Sequence, residues 1–137
     1  MNIQTAIKQS NFFLKKNRVR NPLLDSELLM SEVIGKDRKY IILNSNEILK
    51  KKDFLKFKNL VYQRSKGKPV AYLTNKKFFW KYEFFVSDLT LIPRPDTELI
   101  VDQVLKITKN KCQLKVLDIG TGSGCILLSI LKEKPLF

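Results

Sequence analysis

Residues 114–124, Leu-Lys-Val-Leu-Asp-Ile-Gly-Thr-Gly-Ser-Gly, constrain the fold of this chain more than any other stretch. Leu114–Ile119 is a short apolar run with β-branched members, the pattern of a strand buried in a parallel sheet. Asp118 and three alternating glycines, Gly120, Gly122 and Gly124, close it, and Cys125–Leu131 then reads as a buried helix. Strand, glycine turn and helix are the opening βα unit of a Rossmann-like nucleotide-binding sheet. The glycines permit φ > 0 and let a ligand lie against the backbone. The helix N-terminus then offers unpaired N–H groups to a polar ligand. A tight turn holding no ligand is the plainer account, but three alternating glycines directly after a buried strand favour a nucleotide-type cofactor site.

The spacing narrows the cofactor. A dinucleotide fingerprint is Gly-x-Gly-x-x-Gly, whereas this loop is Gly-x-Gly-x-Gly with Asp118 two residues before it. The chain contains no Gly-Lys-Ser/Thr, which excludes a phosphate-gripping P-loop. The variant resembles motif I of the class I S-adenosylmethionine (SAM) methyltransferases.

Other chemistries are excluded by composition. There is no histidine, and the two cysteines, Cys112 and Cys125, have no CxxC spacing. Zinc sites of the usual kind and Ser-His-Asp or Cys-His catalysis are therefore ruled out, and the thiols are expected to be reduced and inert. No run approaches the roughly 18–20 apolar residues of a membrane span, and the first residues lack a secretory pattern, so a cytoplasmic protein is expected. The net charge is +13 over 137 residues. Residues 1–75 carry 16 Lys and Arg against 6 Asp and Glu, so most of the excess lies in the front half. Such a half suits an acidic partner, a ribosome or a nucleic acid. Because 21 of the 26 basic residues are Lys, AT-rich coding bias explains the charge equally simply.

In chain order, residues 2–16 place Ile3, Ala6, Ile7, Ser10, Phe13 and Leu14 on one helical stripe. Pro22 starts a second helix to about residue 34, with Gly35 as its stop. Tyr40–Leu43 suits a helical turn or an extended piece, and Asn44–Asn46 a cap for a helix reaching Ser65. Gly67 and Pro69 end that helix. Phe78–Trp80 and Glu83–Val86 flank Lys81-Tyr82 as a β-hairpin, whose aromatics are expected at the seam between the parts before and after it. Leu91-Ile92-Pro93-Arg94-Pro95-Asp96-Thr97-Glu98 leads into a helix to about Thr108, with residues that a helix start favours. The fold expected is α+β: a helical bundle over 1–68, a hairpin linker over 69–92, and the first βα unit of a Rossmann-like domain over 93–137.

These pieces, in this order, resemble the HemK/PrmC family of release-factor glutamine methyltransferases. The matching residues are Gly67–Thr74, Phe79-Trp80, Phe85–Ser87, Leu91–Glu98 and Asp118–Gly124. The Ile-Pro-Arg-Pro-Asp-Thr-Glu stretch is far more specific than the glycine loop. The resemblance implies transfer of the SAM methyl group to the side-chain amide nitrogen of the glutamine in a release factor's Gly-Gly-Gln motif. It implies that Gly120, Thr121, Gly122, Ser123 and Gly124 line the methionine and ribose part of SAM, with Asp118 close by. Leu91 and Thr97 would contact SAM, Arg94 would be held near it, and the helical domain would help to hold the release factor.

The family's Asn-Pro-Pro-Tyr signature does not occur in residues 1–137, and the acidic residue expected to hold the SAM ribose is absent from them. By the resemblance, that signature's Asn and a backbone carbonyl orient the poorly nucleophilic amide. Cys112–Phe137 is 26 residues, short of the roughly 30 that a single βαβ unit takes. Glu133–Phe137 reads as an interrupted frame, so a truncated chain without catalysis of its own is expected. Two alternatives stand beside it: a non-catalytic remnant binding a release factor or ribosome, and a fragment of a nucleic-acid amino-methyltransferase.

Overall fold

The computed structural model describes residues 1–111 and 113–134; the expectations for the Cys112 thiol and for Pro135–Phe137 lie outside the described residues. The chain divides into two compact units, Met1–Thr74 and Asn75–Phe137.

The first unit is helical: α1 Ile3–Lys16, α2 Pro22–Ile34, α3 Arg38–Leu43, α4 Lys51–Ser65 and α5 Val70–Thr74. Local chemistry sets the ends of these helices. The Asn2 side chain accepts from Thr5 N at 2.9 Å, and Asp37 accepts from Tyr40 N at 2.7 Å, satisfying amides that have no intrahelical partner. Pro22 opens α2, and Gly35, at φ 69°, closes it. Ile3, Ala6, Ile7 and Leu14 of α1 meet Leu29, Met30, Ile41, Phe57, Val61 and Leu73 in one core. Each large side chain fully buried there contributes on the order of 1.5–3 kcal/mol.

Polar groups at the edge of this core are paired. Arg64 donates to Asp25 at 2.7 Å and to the Lys68 carbonyl at 3.3 Å, which ties α4 to α2 and to the turn after it. Arg38 meets Glu27 at 2.6 Å. Ser26 Oγ donates to the Pro22 carbonyl at 2.7 Å and lies 2.7 Å from Ser10 Oγ.

Two expectations shift here. Tyr40–Leu43 resolves to helix, as part of α3. Asn44–Asn46 does not cap α4: that helix starts after Lys50, with no side-chain cap bond. The segment is a turn whose carbonyls serve α1, Ser45 O accepting from Gln4 N at 2.8 Å and Glu47 O from Ile3 N at 3.0 Å. Tertiary pairing wins over the capping propensity.

The second unit holds β1 Lys76–Phe79, β2 Tyr82–Phe85, a 3₁₀ turn at Pro95–Thr97, α6 Glu98–Ile107 and α7 Cys125–Glu133. β1 and β2 pair antiparallel, Phe79 opposite Tyr82. The turn is therefore Trp80-Lys81, one residue earlier than expected, with Trp80 at φ 58° in place of a glycine. The two-residue period turns Phe79 and Phe84 inward and leaves Phe78 and Phe85 exposed. Phe79 and Phe84 meet edge to face at 6.2 Å, and they form a core with Val101, Cys125 and Ile130.

Leu114–Ile119 is the main departure. Residues 114–118 form no strand, and Leu117 and Ile119 are 83% and 88% exposed rather than buried. A strand is made by ladder bonds to a neighbour, and the two-stranded sheet of the described residues pairs β1 only with β2. The α+β class stands, whereas the βα unit lacks its strand.

Candidate functional site

Gly120, Gly122 and Gly124 have φ of 81°, 56° and 74°, so the loop needs the left-handed backbone that glycine adopts without strain. A Cβ on Gly120 would meet nothing within 4 Å. On Gly124 it would stand 3.2 Å from Leu128 Cδ1, so the Leu128 side chain would have to give way. Gly124 N donates to Thr121 O at 2.8 Å, and Gly124 O accepts from Leu128 N at 2.9 Å, which starts α7 directly from the loop.

Two polar atoms of this loop, Asp118 Oδ2 and Ser123 Oγ, are buried with no hydrogen-bond partner. Such an orphan costs on the order of 1–3 kcal/mol. A ligand bearing hydroxyl or ammonium donors would satisfy Asp118, and Ser123 Oγ can donate or accept. The open backbone at Gly120 and these two atoms suit a ligand that carries both hydrogen-bond donors and acceptors.

A groove of about 620 Å³ adjoins the loop, within the usual size of a small-molecule site. It is lined by Gly122 and Ser123 of the loop together with Tyr82, Phe84, Ser87 and Thr90 from β2 and the segment after it. Ser87 and Thr90 are fixed by a reciprocal turn: Thr90 Oγ1 accepts from Ser87 N at 3.2 Å and donates to Ser87 O at 3.1 Å. Of the expected site residues, only Gly122 and Ser123 are among the described wall residues. Asp118, Gly120, Thr121 and Gly124 belong to the loop behind them. Leu91 is 74% exposed, Arg94 is exposed and Thr97 half-buried, and the structure does not bring these three to the groove.

Sequence reasoning missed the groove's support. The Glu98 carboxylate, at the start of α6 as expected, also accepts from Trp80 N at 2.9 Å. Glu133, the last residue of α7, accepts from Trp80 Nε1 at 3.0 Å, from Tyr82 OH at 3.0 Å and from Lys81 Nζ at 2.9 Å. The bond from Lys81, followed by that from Trp80, holds the Glu133 carboxyl below the usual carboxylate range. The Glu133 bond raises the Lys81 ammonium, while burial and then the Glu133 bond raise the Tyr82 phenol. Lys132 Nζ lies over the Tyr82 ring at 4.3 Å. The donors sit more than 50 residues from Glu133, so no local pattern could have announced the cluster.

Residues 5–74 match the family model described as the PrmC N-terminal domain. The chain belongs to the HemK/PrmC family. Relatives named release factor glutamine methyltransferase include that of Buchnera aphidicola subsp. Schizaphis graminum, 43% identical over 126 residues, covering 88% of this chain and 45% of the relative. That of Leptospira interrogans is 39% identical over 129 residues, covering 93% and 45%. The Escherichia coli (strain K12) protein is 38% identical over 116 residues, covering 84% and 41%. The chain spans about half the length of the curated relatives it matches. Among the described residues, no helix is long and apolar enough to cross a membrane.

Proposed function

We propose that this chain carries the release-factor-binding and cofactor-binding portion of a SAM-dependent protein-glutamine methyltransferase acting in the cytoplasm. In this reading residues 1–68 recognise the release factor, 69–92 are the hairpin linker, and 93–137 open a Rossmann-like domain. The observation that carries it is the left-handed glycine loop holding two unpartnered polar atoms, Asp118 Oδ2 and Ser123 Oγ.

Bound SAM would supply an electrophilic methyl group. The chain's own part is to bind and orient: the loop backbone leaves room for the ligand, Asp118 accepts from its donors, and Ser123 bonds its polar end. Leu91, Arg94 and Thr97 would close over the cofactor only after moving toward the groove. The acceptor is a glutamine amide whose nitrogen lone pair is delocalised, so the reaction depends on positioning. The Asn-Pro-Pro-Tyr segment that performs it in the family does not occur in residues 1–137. A polypeptide of these residues alone is therefore expected to bind a release factor without methylating it. The test is a transfer assay with labelled SAM and a release factor, beside a binding measurement on the same pair. Binding without turnover is expected; turnover above background, or no binding at all, overturns the reading. The basic front half favours a second reading, nucleic-acid binding, which would appear as retention of RNA or DNA that declines steeply with salt.

A further inference from the structure

Glu133 is the one carboxylate among the described residues that gathers an indole N–H, a phenol O–H and an ammonium. All three donors come from the hairpin turn Trp80-Lys81 and the first residue of β2, Tyr82. Glu133 itself ends α7, whose first residue follows Gly124 directly. A nine-residue helix is a stiff rod about 13 Å long, so fixing one end fixes the other. Tyr82 and Lys132, whose ammonium lies over the Tyr82 ring, both line the groove that Gly122 and Ser123 also line. Glu98 holds the same turn from α6 through Trp80 N. The Trp80–Lys81 end of the hairpin is thus held by two carboxylates from two helices.

We propose that Glu133 is a positioning residue for the cofactor groove: by clamping the Trp80–Tyr82 turn to the end of α7, it sets the separation between β2 and the Gly122–Ser123 loop. This rests on the reading of the groove as the SAM site. The groups facing the clamp are Lys81, Tyr82, Lys132 and, through Trp80 N, Glu98. Glu133 is not among the residues that line the groove, so its effect on a ligand passes through Tyr82 and α7.

Trp80 is the only tryptophan, so its emission reports the clamp directly. The experiment compares Glu133→Ala, Glu133→Gln and Tyr82→Phe in the chain, reading Trp80 emission, far-UV circular dichroism and SAM affinity by calorimetry. An amide oxygen still accepts from Trp80 and Tyr82, whereas alanine accepts nothing. Glu133→Ala is expected to red-shift Trp80 and weaken SAM binding about tenfold, the equivalent of one charged hydrogen-bond network lost. Glu133→Gln is expected to restore most of both, and Tyr82→Phe to fall between them. Unchanged SAM affinity in Glu133→Ala, or Glu133→Gln as poor as alanine, overturns the proposal. If Glu133→Ala fails to fold, the Glu133→Gln and Tyr82→Phe comparison decides alone. If the unsubstituted chain binds no SAM, the groove reading fails. The clamp is then judged by hydrogen exchange at residues 82–87 and 120–124, which Glu133→Ala must accelerate together for it to stand.

Discussion

Replacing Gly124 by alanine separates backbone strain from side-chain crowding at the glycine loop. At φ 74° an alanine sits in the left-handed region, a cost of about 1–2 kcal/mol. Its Cβ would also stand 3.2 Å from Leu128 Cδ1 and 3.6 Å from Cγ. Leu128 is 47% exposed, so it can rotate away at about 0.5–1 kcal/mol of rotamer strain. Gly124→Ala is therefore expected to destabilise the second unit by about 2 kcal/mol. Gly120→Ala meets only open space and carries the backbone term alone, about 1–2 kcal/mol. Urea unfolding followed by Trp80 fluorescence reads this unit selectively, because the chain has no other tryptophan. Adding Leu128→Ala should bring Gly124→Ala down to the Gly120→Ala cost without affecting Gly120→Ala. Equal costs for the two single substitutions, or no relief from Leu128→Ala, would refute the reasoning.

In the helical unit, Arg64→Ala leaves the largely buried Asp25 carboxylate and the Lys68 carbonyl without their donor, and a loss of about 3 kcal/mol is expected. Circular dichroism during urea unfolding measures it, and a loss below about 0.5 kcal/mol would place the pair among the negligible surface bridges. The Glu133 carboxyl titrates below its ordinary value of 4.5 in the folded chain, so its contribution is complete above that value and is lost as pH falls through the depressed one. Trp80 emission should therefore hold constant down to that ordinary 4.5 and change only below it, and Glu133→Gln should remove that change. Lys81 and Tyr82 both titrate higher when folded, so their contribution is lost at the alkaline end, as pH rises past their ordinary 10.5 and 10.0.

Much of the helical unit was legible because its signals are local. The stripe Ile3, Ala6, Ile7, Leu14 has the helical period, Pro22 and Gly35 punctuate α2, and each feature acts within a few residues. The glycine loop was legible for the same reason: left-handed turns declare themselves through glycine. What failed depended on partners distant in sequence. Leu114–Ile119 has a strand's composition, but composition does not supply the neighbouring strand. Asn44–Asn46 has capping residues, but its carbonyls are taken by Ile3 and Gln4 of α1. In the candidate groove, Gly122 and Ser123 come from the loop the sequence singled out, whereas Thr90 and the bonds to Glu133 came only from tertiary geometry. Leu91, Arg94 and Thr97, expected near the cofactor from the resemblance, are not among the described residues that line the groove.

The central claim, that the glycine loop holds SAM, is tested most directly by amide spectra during a SAM titration. The chain has five glycines, whose amide signals fall in a sparse region of the ¹H–¹⁵N map. Gly120, Gly122 and Gly124 are in the loop, while Gly35 and Gly67 lie in the helical unit as internal controls. Saturable shifts at the three loop glycines and at Ser123, with Gly35 and Gly67 unmoved, are the result predicted. Shifts spread evenly over all five glycines, or none at millimolar SAM, would contradict it.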